Sequence, residues 1–132
     1  MKFNAQSAIQ LMLGLLSIVI VFHLLIIVKV IPYEIAWGGR LANDTEMYAF
    51  ETLSILINIF LGLILLKKGG YIRFRFKERT MNIVLWFFLV VFILNTVGNL
   101  FAETNFEKSF SLVTLILAGL IWKILRTGST SP

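Results

Sequence analysis

Apolar residues run through this chain in four long blocks, roughly 8–30, 47–66, 81–99 and 107–125, each broken by only a few polar positions. A bilayer core about 30 Å thick takes about 20 helical residues to cross. The pattern therefore predicts four transmembrane helices. The connections between them are too short to hold a soluble domain, so residues 1–132 read as one four-span domain of the all-α class. Lys2 ahead of the first block is what a signal peptide would show. That block is too long for a signal h-region and lacks a small-residue cleavage pattern, so an uncleaved span is expected.

Punctuation between the blocks sets the expected helix ends. Pro32 stops the first helix, because its ring disfavours helical backbone at Ile31. Asp44 or Thr45 caps the second, which ends at Lys67-Lys68-Gly69-Gly70, a last-turn cationic pair followed by glycines. The third starts after Thr80, and Thr104 with Glu107 forms a capping box for the fourth. Gly14 and Ser17, Gly62, Gly98, and Ser111 with Thr114 and Ala118 offer small-residue surfaces for close helix contact. Short connections make sequential helices antiparallel. The expected fold is an integral membrane four-helix antiparallel bundle.

Composition agrees and charge adds direction. The chain is 58% hydrophobic and 14% charged, beyond the usual range of a soluble domain. Nine of its twelve Lys and Arg residues fall on the side holding Lys2, Lys67–Arg79 and Lys123–Arg126, leaving Lys29, Arg40 and Lys108 opposite. The positive-inside rule makes the first side cytoplasmic, with both termini there, in a plasma membrane. Tyr71–Lys77 alternates apolar and basic residues, which directs Arg73, Arg75 and Lys77 at anionic lipid headgroups. A seven-residue segment between two spans gives no platform for nucleic acid. Absence of cysteine excludes disulfides and thiolate chemistry.

Polar positions inside the spans are the candidate chemistry. On the second helix Glu51, Ser54 and Asn58 fall within about 60° of one another at 100° per residue. On the third, Asn95 and Asn99 are one turn apart, and antiparallel pairing brings them level with Ser54 and Glu51. Thr114 reaches a similar depth on the fourth. Trp37 and Arg40 lie in the outer loop above. These eight residues predict an outward-facing polar pocket. An intramembrane acid is costly and marks a functional site by default, so Glu51 leads the set. Its structural role would be a carboxyl held by asparagines or Arg40; its functional role, a ligand contact or proton acceptor.

His23, the sole histidine, is expected either packed and neutral or paired with Glu51 for proton transfer. One histidine with one carboxylate makes no metal site, and no cofactor motif occurs. Nothing marks a nucleophile or catalytic constellation, so a membrane enzyme ranks third among the expected functions. First is a noncatalytic protein binding a lipid headgroup, small amphiphile or partner membrane protein. Second is an oligomeric proton-coupled transporter, which a bundle this small makes only by pairing.

Overall fold

The structure, a computed structural model, describes residues 4–32, 42–73, 75–101 and 105–127. Its regular elements are four helices: α1 Ala5–Ile27, α2 Asp44–Lys68, α3 Glu78–Leu100 and α4 Asn105–Thr127. At 1.5 Å per residue, a helix of 23 residues extends about 35 Å, enough to cross a hydrocarbon core of about 30 Å. All four are long and apolar enough to span a membrane, as an integral membrane protein requires.

Each helix begins two or three residues ahead of its apolar block, and for α1 and α2 a polar residue outside the block satisfies one of the first amides. Asn4 accepts a hydrogen bond from Ser7 N at 2.9 Å. Asn43, rather than Asp44 or Thr45, caps α2 by accepting from Glu46 N at 2.9 Å. Asp44 instead starts the helix, where its charge suits the positive end of the dipole. The expected cap Thr104 lies outside the described residues.

The first helix stops at Ile27, well before Pro32. Lys29 takes a left-handed conformation, φ 66°. Its N–H bonds Ile26 O at 3.0 Å while Val30 N–H bonds Leu25 O at 2.9 Å. This is the Schellman arrangement, which usually puts glycine at the left-handed position. The second helix ends the same way with Gly70 there, φ 81°. Gly69 beside it leaves room for Tyr71 to fold back, since a Cβ at Gly69 would meet the Tyr71 ring at 2.9 Å. Gln6 and Gln10 of α1 both donate to the Tyr71 hydroxyl at 2.8 Å.

These contacts fix which ends lie together. The start of α1 meets the end of α2 through Gln6 and Tyr71, and the end of α1 meets the start of α2 through Lys29 and Asp44 at 2.5 Å. Lys68 closes the α2–α3 turn by donating to Glu78 Oε1 at 2.6 Å and to Asn82 Oδ1 at 2.9 Å. Trp86 packs edge-on against Trp122, and Thr96 meets Thr114, so α3 and α4 associate along much of their length.

The main core is entirely apolar. It joins Met12 and Leu16 of α1, Leu61 and Leu65 of α2, Leu85 and Phe88 of α3, and Leu117 and Ile121 of α4. Mostly branched and long side chains make this core, joined by Ala8 and by Ala118, one of the small residues expected at helix contacts, whereas none of the glycines belongs to it. A methyl placed on Gly14, Gly62 or Gly98 meets nothing within 4 Å, so the close backbone approach expected at those positions does not occur. Helices α2 and α3, adjacent in sequence, touch far less than α3 and α4. A cleft of about 560 Å³ opens between them, walled by Leu56, Ile57 and Phe60 of α2 and Ile83, Val84, Phe87 and Phe88 of α3.

Candidate functional site

Two features arise from this packing, a buried acid–imidazole pair and the apolar α2–α3 cleft. Glu51 is fully buried, at 0% exposure, and its Oε2 is hydrogen-bonded to His23 Nδ1, with the imidazole 15% exposed. The pair joins the later part of α1 to the early part of α2. Below the Lys29–Asp44 bridge it is lidded by a small apolar cluster, Ile26 and Met47, with Phe22 and Ile31 packed around them. Phe22 stacks at 4.9 Å on Phe110 and so ties the same level to α4. The donor in that bond depends on the imidazole tautomer: Nδ1–H to a carboxylate, or a carboxyl to bare Nδ1.

The remaining expected site residues divide between elements. Ser54 is buried one turn below Glu51. Asn58 is half-buried and donates to the Ser54 backbone oxygen at 2.7 Å, a bond within its own helix. Thr114 is buried and lies 2.8 Å from Thr96 Oγ1, so two hydroxyls bridge α4 and α3. Asn95 is exposed and Asn99 half-buried on α3. Neither side-chain amide makes a hydrogen bond with a described residue, and the narrow association of α2 with α3 keeps them from gathering around Glu51. Trp37 and Arg40 lie outside the described residues. Arg73, Arg75 and Lys77 are exposed, and Ile72 and Phe76 are half-buried, so the alternation of that segment is visible in its exposure.

Sequence reasoning missed two members of the polar set. Glu107, expected only as a capping residue, is buried to 4% exposure on α4. The signal was its place on the stripe 107, 110, 114, 117, 121, the helical spacing of the core face. Thr96 was passed over for Asn95, although it lies one turn beyond buried Phe92 and reaches the α4 interface. Among the described residues no three His, Asp or Glu side chains are placed to hold a metal ion. Comparison of the chain with models of protein families, with curated proteins and with solved structures finds no match in any of the three.

Proposed function

We propose that this chain is a noncatalytic plasma-membrane protein that binds an amphiphile, a lipid or a molecule like one, in the opening between α2 and α3. The observation that carries the reading is the cleft itself. Its volume of about 560 Å³ falls in the range of small-molecule sites, roughly 300–1,000 Å³, and its walls are aliphatic and aromatic. Such walls hold an alkyl chain by dispersion contact, which needs no directed bond. The bundle is antiparallel, as the pairings of Gln6 with Tyr71, His23 with Glu51, and Thr96 with Thr114 support. Both termini are cytoplasmic by the charge rule, and Arg73, Arg75 and Lys77 rest on anionic headgroups there.

The test is native mass spectrometry of gently extracted protein. Wild type is expected to retain a bound amphiphile, and Ile57→Trp, which fills the cleft, to lose most of it. Equal retention by the two proteins, or a bare wild type, contradicts the reading.

A second reading, a proton-coupled carrier working as an oligomer, draws on the His23–Glu51 pair. Two titratable side chains bonded to one another inside a membrane span are the elements of a proton relay. It requires pH-driven solute flux in liposomes that Glu51→Gln abolishes; a monomer in bilayers with no such flux removes it.

A further inference from the structure

Among the described residues, Asn95 is an exposed amide on α3 that the bundle leaves without a use. Its amide offers two donors and an acceptor, it is exposed, and it makes no hydrogen bond among the described residues. It stands five residues before the end of α3 at Leu100, about 7.5 Å along the axis. For a 35 Å helix centred on a 30 Å core, that is about 5 Å inside the hydrocarbon boundary. Water does not reach that depth freely, and asparagine is too short to snorkel to the surface as lysine does. A lipid-facing amide there needs a partner in the membrane.

Its position names the partner. At 100° per residue, Val84, Phe87, Val91, Asn95 and Gly98 share one stripe of α3 about 80° wide. Val84 and Phe87 line the cleft, so the stripe carries the cleft outward past Val91 to Asn95. The Phe60–Phe88 ring contact, 6.5 Å between centroids, fixes the depth of α2 against α3 and sets Asn95 level with exposed Leu53. The groove is therefore apolar toward the bilayer centre and turns polar near the boundary, where exposed Asn95 comes first and half-buried Asn99 follows one turn on. That is the polarity of a lipid, whose chains join their polar linkage at this depth.

An alkyl chain with a hydrogen-bonding linkage fits both the volume and the amide.

We infer that Asn95 is a specificity-determining residue for the amphiphile of the α2–α3 cleft, donating from its side-chain amide to the ester carbonyl that joins chain to headgroup. This rests on the cleft being an amphiphile site, as proposed above. The occupant class is ester-linked lipid of the leaflet around the Asn95 end, bound one chain in the cleft.

The experiment offers the full-length protein nanodiscs holding equal amounts of diacyl phosphatidylglycerol and its ether-linked analogue, which has the same chains and headgroup without carbonyls. Lipid retained after gentle extraction is read by native mass spectrometry. Wild type is expected to favour the ester form about fivefold, the range one neutral hydrogen bond supports. Asn95→Leu should bring the ratio to about one with total retention little changed, and Asn95→Gln should keep part of the preference. No ester preference in wild type, or an unchanged ratio in Asn95→Leu, overturns the inference. In that case loss of both lipids in Ile57→Trp leaves the amphiphile reading standing, whereas retention in Ile57→Trp removes it too. A dimer that Asn95→Leu dissociates assigns the amide to a second copy and also overturns the inference. Helix content by circular dichroism confirms that each variant is folded.

Discussion

At the scale of single residues, Glu51 is where packing and chemistry conflict most. A carboxyl with no exposed surface, inside a span, stays buried only if its oxygens are bonded, and His23 supplies one such bond. His23→Phe should keep the shape of the ring while withdrawing that partner, at a cost of about 1–3 kcal/mol in unfolding free energy. Denaturant titration in detergent micelles measures it. Adding Glu51→Leu to His23→Phe should restore part of the loss, because the buried carboxyl that His23 served is then gone. A double variant as unstable as the sum of its singles would show that the two side chains are not coupled. The acid was legible in the sequence because charge is rare in a span. Its partner was legible only as one of two alternatives, since spacing along α1 does not state which helix a residue faces.

Among the elements, the spans were readable and their ends were not. A run of about 20 apolar residues has no other home than a membrane, so four blocks gave four helices. Ends depend on a single side chain or a single dihedral. Asn4 and Asn43 cap from outside the blocks, and Lys29 ends α1 in a left-handed turn that its side chain does not favour. Gly70 holds the same place in α2 with the residue best suited to it. Gly70→Ala is expected to destabilise the protein by about 1 kcal/mol. Thermal unfolding with circular dichroism checks it; an unchanged midpoint would mean the turn does not hold its left-handed form.

The neighbours of each helix were the least legible feature. Short connections suggested that α2 and α3 would pack side by side, and depth matching set Asn95 and Asn99 against Ser54 and Glu51. The match in level stands, as the Phe60–Phe88 contact indicates, but level is not contact. Bulky walls on both helices, Phe60 against Phe87 and Phe88, prop them apart. Glu51 turned instead to α1, and a cleft with apolar walls was left between α2 and α3. The polar pocket expected from helical arithmetic thus divides into a closed ionisable pair and an open apolar cleft.

For the whole molecule, orientation and occupancy complete the account. The natural chain contains no cysteine, so single substitutions report topology cleanly. Cysteines at Arg75 and at Ala42 should react with an impermeant maleimide from opposite sides of the membrane. Labelling of both from one side would contradict the antiparallel arrangement of α1 to α3 that the helix-end pairings support.

The central claim is that the cleft holds a chain the protein does not release with bulk lipid. The most direct measurement extracts the protein with its native protonated lipid, exchanges the surrounding lipid for a deuterated one, and records nuclear Overhauser contacts from residual alkyl protons. The account predicts contacts confined to Ile57, Phe60, Val84 and Phe87. Contacts spread evenly over lipid-facing residues such as Leu63, Leu94 and Leu112, or no residual contacts at all, would contradict it.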